Sequence, residues 1–388
     1  MSKLCMSLPP FAPDYSGAAS ALFDMGGMIV VHDASGCTGN YTGYDEPRWY
    51  DANTAVFCSG LRHMDAVLGN DEKLIHKVID AAKELNPRFI AVVGSPVPMV
   101  IGTDFKGIAS EIEFETGIPS IGLATRGLGY YGTGIAEATI EMLKKFAKKK
   151  KEKIPGTINL LGITPLDFFT NSNAEDFRKL YEDNGTRVLA SFGMGMSIED
   201  MQESVAAQLN VAVSQAGVQI AEYMKRKYDI PYVVTTPFGD GDIALQKVKN
   251  ALAGIEEDFV PESKEAKILV VGEQVIGNSI RENLQIKYGV GAICVASLFD
   301  TTREIQAEGD LIIRNESQLR TLIKSGGFTT VIGDPMVKKL LPTSDEYDIH
   351  FYSLPHVAIS SKVHWDEYKR FVCKETENWL NRIASLKN

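Results

Sequence analysis

Cys37 is the residue of this sequence with the clearest potential for chemistry. The segment VVHDASGCTGNYTGYDE (30–46) begins as an apolar strand and then turns through serine and glycine to reach this thiol. Small side chains and backbone N–H groups around a cysteine let a bulky group approach and lower the cost of a thiolate. A cysteine that merely fills a tight turn would give the same pattern. From this motif alone, a ligating thiol and a packing residue are equally good interpretations.

The remaining cysteines have different surroundings. The chain has five cysteines: Cys5, Cys37, Cys58, Cys294 and Cys373. An odd number, spread this widely, predicts buried thiols or metal ligands gathered by folding rather than structural disulfides. Cys294 lies inside an apolar strand, and Cys373 lies on an amphipathic helix predicted over 364–386, so both are expected to pack internally. The three N-terminal cysteines are therefore the candidates for chemistry.

The common enzyme signatures are absent from this sequence. There is no G-x-x-x-x-G-K-[ST] phosphate loop, so the chain is not expected to hydrolyse ATP through one. No strict G-x-G-x-x-G follows a strand, and the glycines of GLGYYGTG (127–134) are better interpreted as packing residues than as a dinucleotide site. The H-E-x-x-H and C-x-x-C spacings are missing as well.

Composition excludes several classes of protein. The chain has 388 residues, a net charge of −10 and a pI near 5.3, which argues against broad binding to nucleic acid. No run of eighteen or more uncharged apolar residues is present, so no helix is expected to span a membrane. The first residues, MSKLCMSLPPF, lack the apolar core of a signal peptide. These features predict a cytoplasmic protein.

The elements that must position these residues are strands alternating with helices. Apolar runs of strand length alternate with segments of helical periodicity almost from end to end, which predicts parallel sheets flanked by helices. We expect three Rossmann-like α/β domains, over 1–155, 156–262 and 263–388, the last with a C-terminal helix. The lysine-rich stretch 144–153 precedes the first boundary. The domains should meet at a central cleft, where the carboxyl ends of the strands would bind a substrate.

The order of these motifs resembles the nitrogenase component 1 family, which includes protochlorophyllide and chlorin reductases. The N-terminal half carries a cysteine, Gly17-Ala18, an apolar strand, His32 to Cys37, Lys73-Leu74 and Pro98 to Asp104. The resemblance continues through TINLLG (157–162), the segment 209–239, VVGE (270–273) and VIGDP (331–335). It covers nearly the whole chain, so it is stronger than any single motif.

The resemblance implies an iron–sulfur cluster, of the 4Fe–4S type, held by cysteine thiolates. Cys37 stands at the position of a family cluster ligand. Cys5 resembles the first family cysteine, although eleven residues (6–16) separate it from the Gly-Ala pair. Asp14 lies nearer the expected place and is the reserve ligand.

The third family cysteine has no counterpart in the expected segment. The chain reads Gly94-Ser95-Pro96 there, so Cys58, on a loop before the next helix, is expected to supply the missing sulfur. Arg62 and His63 lie beside Cys58 and could tune a cluster, or they could be simple surface residues.

The same resemblance argues against an iron–molybdenum cofactor. Ser214 occupies the position of the cysteine that would hold such a cofactor. His356 and His364 are interpreted as surface or capping residues rather than as its histidine ligand. Reduction of dinitrogen is therefore not expected.

These inferences predict an oxidoreductase subunit that receives electrons from an ATP-hydrolysing iron protein. It would work as a homodimer or as a heterodimer with a related component 1 subunit, and it would bind neither nucleic acid nor membrane. Two other functions remain open, namely a scaffold for metallocofactor assembly and a metal-free α/β binding module. The sequence does not choose among small molecules, tetrapyrroles and sulfur compounds as the substrate.

Overall fold

Three separate parallel sheets form the framework of this protein. The computed structural model describes residues 6–50, 54–147, 149, 151–255, 259–342 and 348–386, and every structural statement below concerns these residues. Helices flank each sheet, which confirms the predicted α/β class with three parallel sheets. Within the described part of the chain, no helix is both long and apolar enough to cross a bilayer.

The first sheet holds the candidate cysteines. Its strands are Met28–Val31 (β1), Ala55–Cys58 (β2), Ile90–Val93 (β3) and Ser120–Leu123 (β4), in the order β2-β1-β3-β4. Its helices are Asp14–Leu22 (α1), Gly36–Asn40 (α2), His63–Leu68 (α3), Asp71–Leu85 (α4), Pro96–Ile101 (α5), Phe105–Thr116 (α6) and Tyr131–Phe146 (α7). The strands β1, β3 and β4 are wholly buried, because helices cover both faces, and they are therefore continuous apolar runs.

The second sheet has the order β6-β5-β7-β8. Its strands are Ile154–Ile163 (β5), Arg187–Gly193 (β6), Ala207–Ala212 (β7) and Tyr232–Val234 (β8). Its helices are Pro165–Phe168 (α8), Asn171–Asp183 (α9), Ile198–Ser204 (α10), Gln215–Tyr228 (α11) and Asp242–Leu252 (α12). Strand β5 starts two residues before the predicted second domain, and the exact domain boundaries stay a prediction.

The third sheet has five strands in the order β11-β10-β9-β12-β13. They are Ile268–Gly272 (β9), Ile293–Ser297 (β10), Leu311–Ile312 (β11), Thr330–Gly333 (β12) and His350–Ser353 (β13). Its helices are Gln274–Glu282 (α13), Glu316–Ser325 (α14), Val357–Ser360 (α15) and Lys374–Ser385 (α16). Short 3₁₀ or π segments cover Phe23–Met25, Tyr41–Asp45, Pro47–Tyr50, Asn283–Lys287, Arg303–Ile305, Pro335–Leu340 and Ser361–Glu367.

The C-terminal helix is shorter than the sequence predicts. The helix expected over 364–386 begins only at Lys374, so Cys373 precedes it instead of lying on it. In the irregular segment before it, the side chain of Phe371 packs against Phe168 and Phe238, with ring centroids 5.2 and 4.8 Å apart. These contacts hold Phe371 among aromatic rings beside the second sheet, where the amphipathic periodicity alone would continue a helix.

Helices α1 and α7, which flank the first sheet, cross at a very short distance. A Cβ added at Gly17 would lie 1.9 Å from the carbonyl oxygen of Tyr131, and one added at Gly134 would lie 1.8 Å from that of Asp14. The two helices can therefore approach this closely only because both positions are glycine. This agrees with the interpretation of the glycines in 127–134 as packing residues.

Candidate functional site

The carboxyl ends of β1, β2 and β3 form one hydrogen-bonded site. The Nδ1 of His32, after β1, lies 2.8 Å from the hydroxyl of Ser59, after β2. The same hydroxyl accepts the N–H of Asp33 at 3.1 Å, and Ser95, after β3, donates to the carbonyl oxygen of His32 at 2.8 Å. Parallel strands end at the same edge of a sheet, so residues far apart in sequence meet here.

Two of the predicted ligands, Cys37 and Cys58, are held around Asp33. A carboxylate oxygen of Asp33 accepts the backbone N–H of Cys37 at 2.8 Å, which places this thiol in the first turn of α2. The Sγ of Cys58 lies 3.3 Å from the carbonyl oxygen of Asp33 and also 3.3 Å from the N–H of Gly60. Both cysteines are half-buried and free of disulfides. Cys58 is the last residue of the edge strand β2, where it pairs with Val31 of β1, and so it does not lie on a loop as expected.

The electrostatics of Cys37 differ from the sequence-based expectation. Burial and then the neighbouring Asp33 raise the pKa of the Cys37 thiol, so the surroundings do not favour a thiolate by themselves. Burial and Cys37 likewise raise the pKa of Tyr15, which therefore stays a hydroxyl. Burial lowers the pKa of His32. A bound metal reverses this balance, because a coordinating cation deprotonates a thiol.

The space beside Cys37 suits a bulky inorganic group. A Cβ added at Gly36, Gly39 or Gly43 would meet no heavy atom within 4 Å, so this side of the turn is open. Among the described residues, however, no three His, Cys, Asp or Glu side chains lie together as a metal site. The described part of the chain thus holds two half-buried free thiols near Asp33. Two thiols are a suitable donor type for part of an iron–sulfur cluster, which usually has four cysteine ligands.

The reserve ligand Asp14 is already engaged in hydrogen bonds. Its carboxylate oxygens accept the backbone N–H groups of Tyr15 at 2.8 Å, Gly127 at 2.7 Å and Arg126 at 2.9 Å. Asp14 is also buried, with 5% of its surface exposed. These contacts fasten α1 to the loop after β4, and a metal would have to replace at least one of them.

Cys5 lies outside the described residues, and its role stays a prediction. The residues that follow it, Met6–Leu8, donate their three N–H groups to one carboxylate oxygen of Glu316 at 2.8–3.1 Å. Burial alone would raise the pKa of Glu316, but these N–H groups outweigh it and lower the pKa to about 2. The start of the described chain is therefore held against α14.

The other residues selected from the sequence are exposed at the surface or have contacts that stabilise the fold. Arg62 and His63 are exposed at the start of α3. The hydroxyl of Ser214 donates to the carbonyl oxygen of Gly162 at 2.8 Å and caps α11. Cys294 is buried in β10, as expected.

An exposed apolar surface borders the two cysteines. Helix α3 follows Cys58 and α5 follows Ser95, and the two helices contact each other. Their exposed apolar side chains, here called the apolar face, are Met64, Val67, Leu68, Val97, Met99, Val100 and Ile101. Leu68 and Val100 are 73% and 81% exposed. Several exposed apolar side chains on two contacting helices are typical of a protein–protein interface.

The structure contains a second polar cluster that the sequence patterns did not indicate. His356, expected at the surface or as a cap, is buried, and its Nε2 lies 2.9 Å from a carboxylate oxygen of Asp167. The hydroxyl of Tyr131 donates to the same oxygen. His356 follows β13, Asp167 follows β5 and Tyr131 follows β4. The position of polar residues just after strands was the only sequence signal for this cluster. Whether these residues contact one another depends on how the three sheets pack.

A large cavity of the described chain lies elsewhere, between β8 and α13. Its volume is about 860 Å³, and residues such as Tyr232, Arg281 and Ile305 line it. It contains none of the site residues predicted from the sequence.

The chain is similar to known proteins in sequence and in fold. The profile of the nitrogenase component 1 type oxidoreductases matches residues 13–268. The chain is 24% identical over 204 residues to a subunit of the light-independent protochlorophyllide reductase from Ephedra altissima, covering 48% of this chain and 40% of the relative. It is 25% identical over 249 residues to the nitrogenase iron-molybdenum cofactor biosynthesis protein NifE from Methanosarcina barkeri, covering 60% and 52%.

Two further similarities concern a nitrogenase subunit and the fold. The chain is 26% identical over 260 residues to the nitrogenase molybdenum-iron protein alpha chain of a Bradyrhizobium species, covering 62% of this chain and 50% of the relative. These matches thus span about half the length of the relatives. A solved structure of nitrogenase Cp1 at pH 6.5 superposes with a TM-score of 0.69 over 99% of this chain and 90% of that one, at 16% identity. With a family profile matched over most of its length, the chain belongs to the nitrogenase component 1 type oxidoreductases.

Proposed function

We propose that this chain is a catalytic-component subunit of a nitrogenase-like reductase. In this proposal Cys37 and Cys58 hold an iron–sulfur cluster, which takes electrons from an ATP-hydrolysing iron protein and passes them to a substrate. The observation that carries the proposal is the position of both thiols around Asp33, at an open edge of the first sheet. Membership of an oxidoreductase family supports it.

The residues around the thiols would position them for the cluster. The carboxylate of Asp33 accepts the backbone N–H of Cys37, and the backbone carbonyl oxygen of Asp33 contacts the Sγ of Cys58 at the end of β2. The hydroxyl of Ser59 ties His32 and Asp33 to β2. Ligands fixed in this way by neighbouring hydrogen bonds lose little freedom when a cluster binds.

A second subunit is expected to complete the site. The described residues supply two thiols, whereas a four-iron cluster usually has four cysteine ligands. The apolar face lies beside these thiols and would be covered by that subunit. We therefore propose a homodimer, or a heterodimer with a related component 1 subunit, in which the cluster lies between the two chains.

Iron and sulfide analysis of the anaerobically purified protein tests the cluster. A four-iron cluster shared by two identical chains gives about two iron atoms and two sulfides per chain. The measurement should be repeated after reconstitution with ferrous iron and sulfide. A protein that stays free of iron after both procedures would be a metal-free module, and the proposed reductase would be wrong.

Charged substitutions on the apolar face are expected to separate the subunits. Leu68→Glu and Val100→Glu would place carboxylates in the proposed interface, where their desolvation is costly. The molar mass from light scattering should fall from that of a dimer to that of a monomer. Phe114→Glu is the matched control, because Phe114 is 85% exposed but lies on α6, outside the apolar face. A wild-type protein that is already monomeric in its iron-loaded form would contradict the proposed assembly.

A scaffold for metallocofactor assembly is the second candidate. The similarity to the cofactor biosynthesis protein NifE covers 60% of this chain, close to the 62% covered by the nitrogenase alpha chain, so a scaffold is as near a relative as a catalytic subunit. A scaffold would release its metal group to an acceptor protein, whereas a reductase would keep it through repeated turnovers. Iron bound before and after incubation with the reduced iron protein, ATP and an acceptor therefore separates the two functions.

A further inference from the structure

A buried aspartate beside α2 connects three distant parts of the chain. Asp45 is 1% exposed and ends the segment Tyr41–Asp45, which follows α2 without a break. One of its carboxylate oxygens accepts the hydroxyl of Ser16 on α1 at 2.8 Å and the side-chain N–H of Asn40 on α2 at 2.9 Å. The other oxygen accepts the hydroxyl of Ser361, just after α15, at 3.0 Å. Asp45 therefore joins two helices of the first sheet to a residue that follows the third sheet.

The carboxylate of Asp45 depends on all three of these hydrogen bonds. Burial raises its pKa to about 6, against the effect of the three donors, so the group is ionised at neutral pH. All three donors are neutral, and none of them compensates the charge as a cation would. The loss of one donor leaves a buried, charged oxygen with too few partners. A change at Ser361 is therefore transmitted through Asp45 to Asn40.

Ser361 is held in a backbone conformation that few residues adopt. Its φ is 49° and its ψ is −136°, in the region that favours glycine. A serine keeps such a conformation only where the surrounding contacts impose it. The hydroxyl of the preceding Ser360 donates to Asp334, after β12, at 2.8 Å. The ring of Trp365 packs on Phe169, after α8, with centroids 5.8 Å apart. The second and third sheets thus fix the position of Ser361.

Helix α2, which carries Cys37, is too short to hold its own shape. It has five residues, whereas helices of fewer than about 12 residues are marginal without tertiary contacts. At its start, a carboxylate oxygen of Asp33 accepts the N–H of Cys37 at 2.8 Å and those of two neighbouring residues. At its end, Asp45 accepts the side chain of Asn40. The glycines of α2 leave its outer side open, so these two aspartates are its principal supports.

We propose that Asp45 is a positioning residue for the Cys37 thiol and that Ser361 fixes Asp45 from the side of the third sheet. With all three hydrogen bonds formed, Asp45 holds the end of α2, and the thiol keeps one place at the edge of the first sheet. Without the hydroxyl of Ser361, α2 leaves this place more often. The inference rests on the proposed function for its purpose, since a thiol fixed in advance loses little freedom when a cluster binds.

Alkylation of the metal-free protein tests the positioning without a cluster. Iodoacetamide is added at pH 8, where Asp45 is ionised, and mass spectrometry after digestion gives separate rates for Cys37 and Cys58. In Ser361→Ala and in Asp45→Asn, Cys37 should react about fivefold faster than in the wild type, the factor that corresponds to the loss of one hydrogen bond. Cys58 should keep its wild-type rate, because it belongs to β2 and not to α2.

Thr133→Ala is the matched control. The hydroxyl of Thr133, on α7, donates to a carboxylate oxygen of Asp300, after β10, at 2.7 Å. It also joins a helix of the first sheet to the third sheet, but it does not reach α2, so Cys37 should keep its wild-type rate. The inference is wrong if Ser361→Ala does not accelerate Cys37, if it accelerates Cys58 equally, or if Thr133→Ala has the same effect. Ser361→Ala decides the question if Asp45→Asn does not fold.

Iron binding separates this inference from the proposed function. After anaerobic reconstitution, Ser361→Ala should bind iron as the wild type does but lose it to a ferrous chelator about fivefold faster. An unchanged rate of iron loss would show that Asp45 does not position a cluster ligand. A wild type that binds no iron would instead overturn the reductase, while faster alkylation of Cys37 in Ser361→Ala would still support the positioning. Equal alkylation in proteins that do bind iron would overturn the positioning alone.

Discussion

Cys37→Ala is expected to remove almost all iron from the proposed cluster site and to abolish the proposed reductase activity. The described site supplies two thiols, so this change leaves Cys58 as the single described sulfur ligand. Thiolate is the usual ligand of iron–sulfur clusters, and an alanine methyl group cannot coordinate iron. Iron and sulfide content and the visible absorption spectrum, recorded under anaerobic conditions, measure the loss without a substrate.

Two other cysteine variants control for this result. Cys373 is half-buried, as Cys37 is, but it precedes α16 and contacts the carbonyl oxygen of Arg370. Cys373→Ala and Cys294→Ala should therefore keep their iron, whereas Cys58→Ala should lose it as Cys37→Ala does. Full iron and an unchanged spectrum in Cys37→Ala would show that the cluster is held elsewhere.

Gly134→Ala is expected to destabilise the protein by about 3 kcal/mol, the upper end of the usual cost of overpacking. The added methyl group would lie 1.8 Å from the carbonyl oxygen of Asp14, which is backbone and cannot rotate away. Helix α1 would have to move off α7, and the move would disturb the N–H groups that Asp14 accepts. The midpoint of urea unfolding, with the slope held constant, measures this loss.

Gly132→Ala is the matched control in the same helix. Its added Cβ would approach no atom closer than 4.0 Å, so the substitution should be neutral or stabilise the protein by about 0.5 kcal/mol. The two positions lie in the same turn of α7 and differ in their clearance from α1. Equal stability of Gly134→Ala and Gly132→Ala would show that the crossing of α1 and α7 can relax.

The candidate site was only partly predictable from the sequence. Cys37 could be chosen because a glycine-rich turn and a family resemblance single it out. Cys58 could be chosen only as a replacement for the missing third family cysteine, and the structure places both residues beside Asp33. The hydrogen bonds of Asp14 and the burial of His356 could not be foreseen. Both depend on contacts between segments more than a hundred residues apart, which periodicity and local motifs do not encode.

By itself the sequence determined the class of fold and the order of its elements. Apolar strands alternating with amphipathic helices can bury their surfaces only as parallel sheets covered by helices, so the pattern was sufficient. The family resemblance likewise followed from residues read in order along the chain. Only the tertiary structure decided that Phe371 interrupts the last helix, that β2 ends at Cys58 and that Tyr131, Asp167 and His356 meet. Those outcomes depend on contacts between segments distant in sequence, within one sheet for β2 and between sheets for the others, because such contacts set the energy of each local choice.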